Sequence, residues 1–532
     1  MKILLINPPY PVCESLTMPL GLLYLAARLE QEGHEVRLED LQLCRSPVSH
    51  LRKTLRTFSP GLVGITSFSI NLHLAGKLLR AAKQACPEAL TVWGGPHVSF
   101  DDEKVLRQNP WADVVVRGEG EETLAEIAGQ AARQEGFDGV AGATWKDSEG
   151  EIHRNPGRPF QPNIDLWPRP AWHLLNLSQY LAFEDGASVL TSRGCPHRCV
   201  FCVGRKMIGA RGRFRDPVAV TDEMEALARL GFKRLRVEDD LFTFRKERAM
   251  AICAEIVKRR LPIRWRAYGR VDTVDPQLLE QMKQAGCERL LFGAESGSPE
   301  ILKKIRKGIT PEQTRRAVEM TKKAGIGVLA SFVIGLPGET PETLRQTVEF
   351  ADSLKVPYSL NLLTPYVGTE VRECSKEWGI KIHTDDWKFY GQGHPLTSTP
   401  AVTREQLRKP VQRYRQGVRQ YLEDLLNREK KGSLSLENIK ELDRHRHWDF
   451  LRKLIAGEIL ERHGILSAGM TEEGIACLAR SVARPLRMRH EEARRHLAPL
   501  IREGHICPVR VEGGKIHWHW ARHFPAGNGW GA

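Results

Sequence analysis

Cys195, Cys199 and Cys202 stand close together in the segment Thr191-Ser192-Arg193-Gly194-Cys195-Pro196-His197-Arg198-Cys199-Val200-Phe201-Cys202. Three thiols on one short stretch are a ligand set before they are anything else. Thiolates are soft donors suited to iron–sulfur clusters, and three of them can hold three irons of a 4Fe–4S cluster while leaving the fourth iron open to a cofactor. A structural zinc site normally closes with four ligands, which here would require His197 beside the three thiols. His197, between Pro196 and Arg198, reads as part of the wrapping loop rather than as a ligand. Arg193 and Arg198 flank an anionic site, and Phe201 can pack either on a bound adenine or within the loop itself.

Such a loop must be carried by something rigid. From 185 onward the sequence alternates strand-like and helix-like stretches, with strands expected at 188–191, 234–238, 264–268, 289–293, 327–334 and 358–362. Six β/α units in that order make a partial (β/α)6 barrel like a TIM barrel, and the cysteines follow its first strand, at the end where barrel enzymes place their chemistry. Ahead of it, strands at 3–6, 36–38, 62–66, 90–93 and 114–116, with helices at 19–31 and 73–86, read as a doubly wound parallel sheet over 1–145. Five prolines between 156 and 170 make 146–184 an irregular linker. The barrel is expected over 185–400. Residues 401–532 turn to long arginine-rich helices, ending in two helices and a hairpin through Gly513-Gly514, which resembles a winged-helix arrangement. The fold class is therefore α/β with a mainly helical C-terminal domain.

The 532 residues exceed one ordinary core and suggest two to four domains, and the 41% hydrophobic, 27% charged composition excludes disorder as the main state. The net charge of +14 leaves nucleic acid, an acidic ligand or a solvated basic surface open. It is concentrated in residues 401–532, with 25 Lys and Arg against 16 Asp and Glu. Eleven cysteines, an odd number, in a chain opening Met-Lys-Ile-Leu-Leu-Ile-Asn-Pro-Pro-Tyr without a signal-peptide pattern, lead us to expect a reducing, cytoplasmic location. No apolar run is long enough for a membrane span.

The Cys-x3-Cys-x2-Cys pattern at the end of a first barrel strand resembles the radical S-adenosylmethionine enzymes. The resemblance implies a 4Fe–4S cluster on Cys195, Cys199 and Cys202, S-adenosylmethionine on the open iron, and an external electron donor such as a flavodoxin or ferredoxin. Val237-Glu238-Asp239-Asp240 stands where that family contacts the methionine amino group; the usual glycine pair is absent, so Glu238 or Asp239 is expected to serve. Gly293-Ala294-Glu295-Ser296-Gly297-Ser298 resembles the fourth-strand motif near the ribose, where Glu295 and Ser296 offer acceptors. Gly335-Leu336-Pro337-Gly338-Glu339 resembles the fifth-strand motif near the adenine. After the last strand, Pro365-Tyr366-Val367-Gly368-Thr369-Glu370 is similar to a family segment in which Tyr366 or Glu370 would meet substrate or anchor the loop.

The front segments Ile6-Asn7-Pro8-Pro9-Tyr10, Trp93-Gly94-Gly95-Pro96-His97 and Arg117-Gly118-Glu119-Gly120-Glu121 resemble the Rossmann-like cobalamin-binding domain found ahead of many such barrels. The resemblance places a corrinoid against Pro8, Gly94, Gly95, Gly118 and Glu119, with Ser67 available to its base or phosphate. The Asp-x-His-x-x-Gly segment that supplies a lower ligand elsewhere is missing, so cobalamin is expected histidine-off, and His97 reads as a loop residue. A degenerate domain without cofactor is the bland alternative. A dinucleotide site is disfavoured because Asn7-Pro8-Pro9 replaces the glycine turn.

These features lead to the expectation of a monomeric, cobalamin-dependent radical methyltransferase acting on an unactivated carbon or phosphorus of a small-molecule or peptide substrate. The alternatives are a cobalamin-dependent cyclase or rearrangement enzyme, and an iron–sulfur or cobalamin regulator binding nucleic acid through the basic tail. A methylthiotransferase would need a second three-cysteine set, whereas Cys13, Cys44 and Cys86 are scattered, as are Cys253, Cys287, Cys374, Cys477 and Cys507. His517-Trp518-His519-Trp520 alternates like a half-exposed strand rather than a metal site.

Overall fold

The computed structural model describes residues 1–11, 16–391, 393–467 and 472–521; Cys13 lies outside them. The front sheet contains β1 (Lys2–Asn7), β2 (Glu35–Asp40), β3 (Leu62–Thr66), β4 (Leu90–Gly94), β5 (Val114–Val116), β6 (Ala143–Lys146) and β7 (Ile152–Arg154). Their spatial order is β2-β1-β3-β4-β5-β6-β7, with the first five parallel and the last two antiparallel additions. Strand side chains alternate between faces, so Leu4 and Ile6 enter the core on one side of β1 while Ile3 and Leu5 enter the core on the other. The chain order reverses between β1 and β3, and the crevice beyond the carboxyl ends of those strands is where such sheets take ligands.

The sheet runs past the expected end of the front region, because β7 pairs with β6. The following stretch also contains a helix, Leu177–Phe183, in which Leu177 and Phe183 are fully buried. The span 146–184 is thus less irregular than its prolines suggest.

The second sheet is built of β8 (Ala187–Val189), β11 (Arg234–Val237), β12 (Arg264–Gly269), β13 (Cys287–Glu295), β14 (Gly327–Ile334) and β15 (Tyr358–Leu362). All pairs are parallel and the strands lie in sequence order, giving the expected six-stranded partial barrel. Four of its helices start the same way, with an Asp or Thr followed by proline at the first helical position: Asp216-Pro217, Asp275-Pro276, Thr310-Pro311 and Thr340-Pro341. Each cap oxygen accepts an otherwise unpaired backbone N–H, and proline loses nothing there because its missing N–H had no helical partner. Between β8 and β11, the short strands β9 (Ser192–Arg193) and β10 (Arg213–Phe214) pair antiparallel and close the base of the cysteine loop.

Beyond the barrel, β16 (Lys381–Ile382) pairs with β17 (Thr397–Ser398), and the segment between them brings Trp387 edge-on to His97 of the front region, ring centres 4.6 Å apart. Helices Arg404–Lys430, Leu436–Ala456, Ile459–His463, Glu472–Leu486 and His490–Arg502 follow, with β18 (Ile465–Leu466), β19 (Ile506–Arg510) and β20 (Ile516–Trp520) forming a three-stranded antiparallel sheet ordered β18-β20-β19. In β20, Ile516, Trp518 and Trp520 are buried while His517 and His519 are partly exposed, the alternation of a half-buried strand. One continuous core runs from the barrel into these helices. Among the described residues, no helix is long and apolar enough to cross a membrane.

Candidate active site

The cysteine loop hangs from one buried carboxylate. Asp239, just past β11 and 1% exposed, accepts from Thr191 N at 2.6 Å, Ser192 N at 2.9 Å and Ser192 Oγ at 2.6 Å, and also from Thr191 Oγ1. Gly194 then turns with φ +99; a side chain there would bring Cβ to 2.2 Å from Arg211 O, so only glycine fits. Cys195 N donates to Gly209 O and Cys202 N to Cys199 O, both at 3.1 Å, and Gly204 N approaches Cys202 Sγ at 3.3 Å.

Burial first raises the pKa of all three thiols, and Cys195 raises that of Cys199. The Cys202 thiol is pushed up to about 11 by burial first, partly offset by the Gly204 N–H, with Cys199 and Cys195 adding to the rise. The three sulfurs are therefore close enough to oppose one another's ionisation. That donor set fits an iron–sulfur cluster, whose irons would stabilise the three thiolates together.

Asp239 supports the loop from below. Glu238 is engaged by Arg236 Nη2 at 2.7 Å. The carboxylate that reaches the cysteines is the next one: Asp240 Oδ1 lies 3.7 Å from where a Cβ on Gly204 would sit, and desolvation, with Asp239 second, pushes it up to about 6. The sequence expectation was Glu238 or Asp239, and it passed over Asp240, because spacing does not say which of three adjacent acids turns toward the cysteines.

On β13, Glu295 sits at a register shift opposite β14 with φ +61, and Lys307 Nζ meets its Oε1 at 2.7 Å. Such a backbone conformation is costly for a non-glycine residue and concentrates at functional sites. Ser296 is buried; its hydroxyl bonds Thr347 Oγ1 at 2.8 Å and accepts from Ser298 N at 3.1 Å, fixing helix Pro341–Ser353 against the strand. Gly335 turns at φ +85, and its N–H donates to buried Glu339, whose other oxygen has no partner. Phe201 is half-buried against the barrel core. Tyr366 donates its hydroxyl to Tyr390 O at 3.3 Å, and Glu370 pairs with Arg306 at 2.8 Å.

A cavity of about 660 Å3 opens beyond the ends of β1, β3 and β4. It is lined by Asn7, Pro8, Gly94, Gly95, Gly118 and Glu119 from the front region, and by Arg193, Met207 and Ile208 from the cysteine loop. Gly95 has φ +108, and a Cβ there would stand 2.4 Å from Ser67 O and 2.7 Å from Ser67 N. Ser67 itself lies outside the lining; its Oγ accepts from Trp93 Nε1 at 2.9 Å. Among the described residues, no histidine lines the cavity. His97 is buried behind it, its Nδ1 against Ser69 Oγ at 2.8 Å. A glycine-edged, mostly apolar hollow of this size, at the switch point of a parallel sheet, fits the flat face of a corrinoid.

Two arginines tie this cavity to the cysteine loop. Arg193 reaches Glu119 at 3.1 Å and Glu121 at 2.6 Å, while Arg213 reaches Glu119 at 2.6 Å. Arg193 also lies over Trp167, 4.3 Å from the ring centre. No periodicity could have found these contacts.

Comparison with known proteins agrees with this geometry. Residues 189–351 match the radical SAM superfamily and residues 12–128 the B12 binding domain. An uncharacterized methyltransferase of Pyrococcus horikoshii is 37% identical over 77% of this chain and 90% of its own length. The anaerobic magnesium-protoporphyrin IX monomethyl ester cyclase of Rubrivivax gelatinosus is 30% identical over 76% and 75%. The solved structure of the radical S-adenosylmethionine methyltransferase TsrM from Kitasatospora setae, with cobalamin and a 4Fe–4S cluster bound, superposes with a TM-score of 0.63 at 26% identity, covering 76% of this chain and 84% of that one.

Proposed function

This chain belongs to the cobalamin-dependent radical S-adenosylmethionine enzymes, and from that premise we propose that it is a methyltransferase that methylates an unactivated carbon or phosphorus of a small-molecule or peptide substrate. The observation that carries the reading is the shared wall: the front cavity is bounded by Arg193, Met207 and Ile208 of the loop that bears the three cysteines. When bound, the cluster, S-adenosylmethionine and cobalamin supply hydrogen abstraction from the substrate and the methyl group it receives.

The chain's own residues align and shield. Cys195, Cys199 and Cys202 would hold the cluster, with Asp239 fixing the strand end that carries them. Asp240, in place of the expected Glu238 or Asp239, would meet the amino group of S-adenosylmethionine, with Glu295 and Gly335 at the ends of β13 and β14 and Phe201 beside the cluster. Ser296 is assigned to packing. Pro8, Gly94, Gly95, Gly118 and Glu119 would border the corrinoid, held histidine-off because the cavity presents no imidazole among its described lining residues. Tyr366 and Glu370, on the segment after β15, are proposed to border the substrate. A monomer reduced by a flavodoxin or ferredoxin in the cytoplasm completes the proposal.

The test is anaerobic purification with iron quantification, corrinoid extraction, and assay with candidate substrates. Methyl transfer requires S-adenosylhomocysteine and 5′-deoxyadenosine to accumulate together with a substrate heavier by one methylene. Four irons per chain without bound or bindable corrinoid would overturn it. Product formation without methyl gain would favour the cyclase reading, which has the Rubrivivax gelatinosus relative behind it.

A further inference from the structure

Cys44, His50 and Glu458 bring a thiol sulfur, an imidazole nitrogen and a carboxylate oxygen within 4.8 Å of one another, far from the cysteine loop in the chain and outside the lining of the cavity. Cys44 lies just past β2 and His50 on helix Pro47–Phe58, while Glu458 sits in the turn between helices Leu436–Ala456 and Ile459–His463. The group therefore joins the front region to the C-terminal helices across 408 residues of sequence. Arg45 N donates to Ala456 O at 3.2 Å, which fixes the register of the two segments.

His50 is held from both sides. Its Nδ1 faces Glu458 Oε1 at 2.7 Å, and its Nε2 faces Glu39 Oε2 at 2.9 Å. Glu39 is buried and further held by Thr54 Oγ1 at 2.9 Å and Arg37 Nε at 3.0 Å. A carboxylate behind the far nitrogen of a histidine is how metal-ligating imidazoles are oriented, because it fixes the N–H on that side and frees the other nitrogen's lone pair. Glu458 adopts φ +48, a conformation unfavourable for a residue with a side chain and maintained by its surroundings.

We propose that Cys44, His50 and Glu458 bind a zinc-class divalent cation, through sulfur, Nδ1 and a carboxylate oxygen, with solvent completing the coordination. A thiolate beside an imidazole selects borderline metals such as zinc over magnesium or calcium, which prefer oxygen donors throughout. Binding releases the Cys44 thiol proton to solvent, and the Nδ1 proton too where the imidazole was protonated; Nε2–H stays toward Glu39, and no electrons move. The cation would clamp the front region to the C-terminal helices. The competing arrangement, a protonated His50 held between Glu39 and Glu458, accounts for both carboxylates and leaves the thiol to the Ser46 backbone N–H.

The full-length protein with its cluster, purified anaerobically, is equilibrated with zinc chloride, desalted, and measured by elemental analysis and zinc-edge X-ray absorption. The expected result is about one zinc per chain with a single sulfur among nitrogen and oxygen neighbours. Cys44→Ala and His50→Gln should each weaken retention about tenfold or more, while Cys199→Ala retains it. If either front-region variant fails to fold, the wild-type spectrum together with Cys199→Ala still decides. Zinc absent from the wild type, or present with three sulfurs and lost in Cys199→Ala, would overturn the proposal.

Discussion

Arg193, two residues ahead of the first of the three clustered cysteines, places Nη1 3.1 Å from Glu119 Oε1 on the rim of the front cavity. Its Nη2 reaches Glu121 at 2.6 Å, so one guanidinium holds two carboxylates of the front region, one in the loop after β5 and one at the start of helix Glu121–Ala132. The pair is almost wholly removed from water, with Arg193 11% and Glu121 4% exposed.

Removing one member of a buried pair leaves an uncompensated charge, and Arg193→Met is expected to destabilise the protein by about 3 kcal/mol. The loss should fall mainly on Glu121, because Glu119 keeps Arg213. Adding Glu121→Gln should recover part of it. Arg193→Lys should not restore the wild type, since an ammonium cannot fork between two carboxylates. Denaturant unfolding of the wild type, Arg193→Met, Glu121→Gln and the double mutant forms a mutant cycle; a double mutant no more stable than Arg193→Met would refute the coupling.

Asp239→Asn tests the support beneath the cysteine loop. The amide keeps one acceptor oxygen and turns an NH2 toward donors that Asp239 now satisfies, two of them backbone N–H groups of Thr191 and Ser192. The expected cost is about 1–3 kcal/mol, with iron retained after reconstitution falling well below one cluster per chain. Iron and thermal stability are read on the same sample. Full iron at reduced stability would make Asp239 a packing residue only.

Much of this framework was legible because its signals are local. The six barrel strands were located because each alternates or runs apolar between turn residues, and the Asp-Pro and Thr-Pro pairs mark where their helices start. The strand β7 was missed because Ile152-His153-Arg154 is too short to carry a period and pairs only at a sheet edge. The sequence expectation named Glu238 or Asp239 and passed over Asp240, since adjacent residues at a strand end differ in direction, which spacing does not encode. The meeting of Arg193 with Glu119, and of His50 with Glu458, depends on how separate units pack, and no motif reports that.

The glycines at the end of β4 separate fold from binding. Gly95→Ala forces a Cβ against Ser67 backbone at 2.4 Å and a positive φ on a residue that resists it, an expected loss of about 1–3 kcal/mol. Gly94→Ala meets nothing closer than 4.0 Å and should leave unfolding unchanged. Because Gly94 lines the cavity, its added methyl is expected to weaken corrinoid uptake several-fold, measured by titration of the folded variant. Unchanged uptake in Gly94→Ala would place the corrinoid elsewhere.

Glu339 predicts a pH dependence of stability. Burial disfavours its carboxylate and raises the pKa from 4.5 to about 8, against a smaller opposing effect of the Gly335 N–H. Between those values the folded chain holds a proton that the unfolded chain has released. The contribution to stability is therefore complete below pH 4.5 and is lost as pH rises toward 8, at about 1.4 kcal/mol per unit. Glu339→Gln keeps an acceptor for Gly335 and puts an amide where the other oxygen has no partner, without an ionisable group. The variant should be the more stable protein above pH 8, and the gap between the two should narrow and reverse or vanish toward acid. Urea unfolding of both proteins across this range measures the gap directly, and parallel curves would show that Glu339 does not carry the proton.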